Sequence, residues 1–196
     1  KMRGVFARSV VLFAVLAIIA CGGLRYSQLD PAAGNYHPGR IAVFPADVGP
    51  HQEASPAVEQ IAADILVQKK WFKGVLDVAS LAKLSAADNE LGKAMTDYLS
   101  KLQTLSYSDP VLSQKIGELA KTDAFLLISV DYWNYYLKKD KNSGKVSLGL
   151  RLVDAPTGRI MWKAGHDKEE AYSFFQPKLD GIARSVLKTM LNEMPH

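Results

Sequence analysis

The sequence predicts an α/β fold: a mixed sheet ending in an antiparallel three-strand meander and covered by helices. Three observations carry this. Short apolar runs alternate with amphipathic helical stretches through the first two thirds of the chain. Residues 123–168 read as three consecutive strands separated by turns, and residues 177–194 carry the strongest helical stripe of the chain. With 196 residues, 48% hydrophobic and 22% charged, the chain has the composition of one ordinary globular domain, which excludes collagen-like, coiled-coil and grossly disordered classes.

Each element has its own signal. Ile41-Ala42-Val43-Phe44 is an apolar run stopped by Pro45, as a buried strand is. Ser55-Pro56 offers a cap and a first-turn proline, and Val58, Ile61, Ala62, Ile65 and Leu66 then share one helical face. Gly74 to Val78 reads as a second short strand. Ser85 with Asp88 resembles a capping box, followed by the stripe Leu91, Met95, Tyr98, Leu99 and Leu102. Asp109-Pro110 starts a further helix with Leu112, Ile116, Leu119 and Ala120 inward. Asp123 to Tyr136 is rich in β-formers. Residues 145–154 alternate, with Val146, Leu148, Leu150 and Leu152 on one face, and Arg159 to Asp167 alternates again with Ile160, Trp162 and Ala164 together. The expected order is β-α-β-α-α-β-β-β-α.

Ahead of these elements the chain changes character. Residues 1–8 hold Lys1, Arg3 and Arg8 with no acid, and the next twelve are uncharged and almost wholly apolar. This is the pattern of a secretory signal, and the run is short of the roughly 20 residues a membrane span needs. It leads into Ile18-Ile19-Ala20-Cys21-Gly22, which resembles a bacterial lipobox. The resemblance implies cleavage after Ala20 and acylation of Cys21, and Gly22 in place of Asp favours the outer membrane. The expected organisation is a signal peptide over residues 1–20, a lipidated tether over 21–40, and one periplasmic α/β domain over 41–196. Residues 22–40 are Gly- and Pro-rich without periodicity, hence their reading as a linker.

Charge and cysteine content then take on a different meaning. The net charge is +4, but removing Lys1, Arg3 and Arg8 leaves one base in excess, which withdraws the support for nucleic-acid binding. One cysteine makes no intramolecular disulfide, and the four histidines, His37, His51, His166 and His196, are scattered without a zinc framework. No metal site and no cofactor are expected. His166 alternates onto the face of Trp162, as a half-buried or a surface residue. There is no G-x-S-x-G, no S-x-x-K and no phosphate-cradling glycine loop. Carboxylate pairs such as Glu169-Glu170 read as solvated surface. The expectation is a protein that is not an enzyme.

The segments IAVFP, PAVEQIAADILVQ, GVLDV, KTDAFLLISV and RLVDAPTGRIMWKA together resemble the fold shared by the curli-secretion lipoprotein CsgG, the amino-terminal domain of TolB and the periplasmic lipoprotein LpoB. The likeness spans about residues 41–165 and is sharpest at LVDAPTGRIMW. There Asp154 can bond turn amides, Gly158 can take a positive φ, and Trp162 packs under the turn. These are structural roles.

One set of residues suggests an interface. On simple alternation Asp131, Trp133 and Tyr135 share a face of the first meander strand, toward Arg151 and Lys163 on its neighbours, while Tyr132 and Tyr136 take the other face. An aromatic and charged patch of this kind suits a protein-binding hot spot. The same residues would equally serve if Trp133 were covered by the last helix or the tether. The functional expectation is a lipid-anchored, non-catalytic accessory protein for an envelope secretion, transport or cell-wall synthesis complex, with an envelope protein as partner and self-association open. The alternatives are a CsgG-like oligomeric pore, for which an extra pair of membrane-spanning hairpin segments is not evident, and an envelope enzyme, which would need a deep pocket with convergent polar groups.

Overall fold

The computed structural model describes residues 24–138 and 140–196; the signal segment and Cys21 lie outside them. Its strands are β1 (Tyr26–Leu29), β2 (Arg40–Val43), β3 (Gly74–Leu76), β4 (Ala124–Lys138), β5 (Lys141–Asp154) and β6 (Ile160–Tyr172). Its α-helices are α1 (Ser55–Lys69), α2 (Val78–Ala87), α3 (Asn89–Leu105), α4 (Pro110–Ala120) and α5 (Leu179–Leu191). All six strands form one mixed sheet in the order β1-β6-β5-β4-β2-β3, with β2 parallel to β3 and β4, and β4-β5-β6 an antiparallel meander. This is the α/β class and the meander that the alternation predicts.

Helices cover the two faces unequally. The helices α1 and α5 bury their stripes against Ile41, Val43, Leu126, Leu148, Leu150, Leu152 and Trp162 on one face. On the other, α2, α3 and α4 pack Leu81, Leu91, Met95, Tyr98 and Ile116 against Ala42, Phe44, Phe125, Leu127 and Val153. The second group lies over β2 and the first half of β4; none of its core contacts reaches the far half of the meander.

Helix starts follow carboxylate chemistry. Asp77 caps α2 by accepting from the Ser80 amide, Asp88 caps α3 by accepting from Glu90 and Leu91, and Asp109 caps α4 by accepting from Val111 and Leu112. The expected capping box at Ser85 does not form: the Ser85 hydroxyl donates to the Ala82 carbonyl inside α2, and Asp88 separates two helices where one was expected. At α1, Ser55 lies inside the first turn and donates to Glu59, whose Oε1 also accepts from the Ala46 amide. The strand expected over 74–78 stops at Leu76 because Asp77 begins α2.

A larger correction concerns residues read as tether. Tyr26–Leu29 adds to the sheet edge as β1, antiparallel to β6, with Tyr26 opposite Gly165 and Leu29 opposite Trp162. The Tyr26 ring lies where a side chain on Gly165 would be, so that a Cβ there would clash with its Cε1. The Trp162 Nε1 donates to the Ser27 hydroxyl at 3.1 Å, and Arg159 pairs with Asp30 at 2.8 Å. The missing side chain at Gly165 is therefore what lets this segment dock, and the described part of residues 21–40 belongs to the fold.

Candidate functional site

The predicted patch is divided by one extra residue. The ladder between β4 and β5 shifts register between Val130 and Tyr132: Val130 is opposite Leu148, and Tyr132 is opposite Ser147. Such a bulge reverses the face of every later side chain on its strand. Beyond Asp131, Tyr132 comes to the open face and Trp133 and Tyr135 turn toward α5. Trp133 is 4% exposed among Val146, Ile182 and Val186. Tyr135 is half-buried over Gly144, and its hydroxyl donates to the Pro177 carbonyl at 2.7 Å. Asp131, Arg151 and Lys163 stay off that core, so the five expected partner-binding residues do not form one surface.

What the open face holds instead is a groove. At the carboxyl end of β2, a cleft of about 220 Å³ lies between α3 and the sheet, lined by Leu99, Leu102, Leu127, Ser129, Gly149 and Arg151. Arg151 stands opposite both Leu127 and Lys163 in register. Gly149 keeps the floor low: a Cβ there would meet the Ser129 hydroxyl at 2.5 Å. The Ser129 hydroxyl leads to Asp131 at 3.4 Å, whose carboxylate accepts from Arg25 at 2.6 Å, and Arg25 also donates to the Ser147 hydroxyl at 3.0 Å. The hydrogen bond with Asp131 raises the Arg25 pKa above its ordinary value. Farther along the same face, Lys145 pairs with Asp167 at 3.2 Å and stands 6.0 Å over the Tyr132 ring, which His51 approaches at 6.2 Å.

This arrangement offers a cation in an apolar cleft beside α3, then a line of hydroxyls and charges on the part of the same sheet face that no described helix covers. Open α/β sheets characteristically receive ligands beyond the carboxyl ends of their parallel strands, which is where Arg151 lies. Sequence reading missed Arg25, because it sat in the stretch taken as tether, and misplaced Tyr132, because alternation carries no signal for a bulge. His166 is half-buried opposite Leu148. Among the described residues, no group of three His, Cys, Asp or Glu side chains could hold a metal ion. No described helix is long and apolar enough to cross a membrane.

No protein-family model matches the sequence. No curated protein matches it either. Solved structures do. The chain is similar to the PelC dodecamer from Paraburkholderia phytofirmans, with a TM-score of 0.57 and 14% identity over 87% of this chain and 98% of that one. It is similar to the lipoprotein GNA1162 from Neisseria meningitidis, with a TM-score of 0.53 and 18% identity over 80% of this chain and 100% of that one. A third similar structure is the hypothetical protein CT253 from Chlamydia trachomatis, with a TM-score of 0.53 and 9% identity over 79% and 94% of the two chains. At these identities the likeness establishes a shared α/β fold.

Proposed function

We propose that the chain is a lipid-anchored lipoprotein of the outer membrane whose periplasmic domain works as a non-catalytic binding component of an envelope secretion, transport or cell-wall synthesis complex. The observation that carries this is Cys21, set directly behind an apolar run and the sequence Ile18-Ile19-Ala20. Two or three acyl chains on one residue anchor stably, where a single chain would hold only marginally. The fold shared with a lipoprotein from Neisseria supports the same reading.

Docking is the activity proposed because the open face presents Arg151 in a groove, with Arg25, Asp131 and Tyr132 farther along the same face, and aromatic and arginine side chains dominate binding hot spots. Self-association is part of the proposal, supported by the dodecamer formed by PelC. The test is Cys21→Ser in the native host. It should abolish acyl labelling and move the protein out of the membrane fraction; unchanged labelling would end the anchor reading.

A further inference from the structure

The cations of the open sheet face are not all neutralised. Arg25 is paired with Asp131 at 2.6 Å, and Lys145 with Asp167 at 3.2 Å. Arg151 and Lys163 stand directly opposite each other on β5 and β6, and among the described residues neither makes an ion pair or a side-chain hydrogen bond. Read across the sheet, their row is Leu127, Arg151, Lys163 and Gln28, without an acid. Like charges facing each other across a ladder work against the sheet. Lys163 is exposed, but Arg151 is half-buried, so water relieves the repulsion only in part.

Beside this pair lies the cleft of about 220 Å³ under α3, with Leu99, Leu102 and Leu127 as its apolar wall. Pockets for drug-sized ligands run to roughly 300–1,000 Å³, so this one takes a single apolar side chain and not a whole acyl chain. Its polar side holds the Ser129 hydroxyl, whose bond to Asp131 at 3.4 Å is long and leaves it able to turn to a better acceptor. Asp47 also lines the cleft, exposed, and among the described residues it pairs with no cation. Two cations against one acid leave a single positive charge in excess, which suits a monoanion. The planar fork of an arginine matches a carboxylate in shape as well as charge.

A carboxylate and an apolar side chain meet on one residue at the carboxyl end of a polypeptide. Inside an extended chain, the apolar neighbour of an aspartate or glutamate points to the opposite face. We infer that Arg151 and Lys163 hold the free terminal carboxylate of a partner polypeptide ending in an apolar residue, whose side chain enters the cleft of Leu99, Leu102 and Leu127. The inference rests on the docking reading of this groove and names what docks there.

Its test uses the full-length protein, purified from whichever cell fraction holds it, and a fluorescein-labelled Gly/Ser pentapeptide ending in leucine. Fluorescence anisotropy should show saturable binding of the free acid, weakened about tenfold or more when the carboxylate is amidated or the leucine is replaced by serine. Arg151→Gln and Lys163→Gln should each weaken it, while Lys83→Gln, an equal loss of charge at an exposed position of α2, should not. No binding, equal binding of acid and amide, or an equal effect of Lys83→Gln overturns the inference. Binding of octanoate without the pentapeptide also overturns it and assigns the cleft to a free acid. A benzoylphenylalanine crosslinker at Gln103, on the rim of the cleft, separates this inference from the docking reading. Protein adducts formed in cells while the peptide fails to bind overturn the carboxyl-end inference and leave docking standing; failure of both removes docking at this groove as well.

Discussion

At the residue scale, the β5–β6 turn shows how a small set of groups fixes local geometry. Gly158 has φ 68° and its amide donates to the Asp154 carbonyl at 2.8 Å; the Asp154 carboxylate accepts from the Thr157 hydroxyl. A Cβ on Gly158 would stand 2.7 Å from the Cα of Pro110 at the start of α4, a backbone atom that cannot move aside cheaply. The turn is also tied to α3, since the Tyr98 hydroxyl bonds Ser108 and Ser108 donates to the Gly158 carbonyl at 2.7 Å. Burial pushes the Tyr98 phenol pKa up, so that link stays protonated through the neutral range. Gly158→Ala combines a left-handed backbone with a clash and should cost about 2 kcal/mol or more in urea unfolding. An unchanged midpoint would show that the turn is not held this way.

At the element scale, three aspartates begin three successive helices, and for Asp77 and Asp109 the contribution depends on charge. The Asp109 pKa lies below its ordinary value, chiefly through the hydrogen bond from Lys101 and the Leu112 amide; that of Asp77 is lowered by its bonds with the Ser80 side chain and amide. A carboxylate whose pKa is depressed on folding stabilises the fold above its unfolded value, near 3.8, and that stability is lost as pH falls through the folded value. Stability should therefore decline on acidification below about pH 4. Asp109→Ala should cost about 1 kcal/mol at pH 7 and flatten this decline, as followed by urea midpoints from pH 6 to 2.5. An equal loss at every pH would assign the effect to helix propensity alone.

The same scale explains the misread patch. Alternation was a sound guide for β5 and for the first half of β4, where Leu126 and Ile128 lie on one face and Phe125 and Leu127 on the other. It failed from Asp131 onward, because one inserted residue exchanges the faces of all that follow. The capping aspartates were legible because they act on amides two and three residues away. The bulge was not, since its partners on β5 and β1 are distant in sequence: Asp131 is held by Arg25 and lies near Ser147 only after the sheet has formed.

At the scale of the whole molecule, the amino-terminal stretch is part of the fold to within three residues of Cys21. On the anchor reading proposed above, a lipid on Cys21, five residues before β1, would hold the domain close to its membrane; a free tether of nineteen residues, by contrast, could extend some 60 Å. Limited trypsin digestion of the mature protein should accordingly spare Arg25 and Arg40 while cutting first at exposed sites such as Lys141. Early cleavage at Arg25, read by mass spectrometry, would restore the tether.

By itself the sequence determined the α/β class, the meander, the identities of most helices and the acceptor role proposed for Cys21, because those rest on short-range periodicity, capping and a contiguous motif. Only the tertiary structure decided that Tyr26–Leu29 joins the sheet, that Trp133 belongs to the core, and that Arg25 meets Asp131. Each of these depends on register between strands far apart in the chain. Register is set by which side chains fit across the ladder, and no local pattern in the sequence contains that fit.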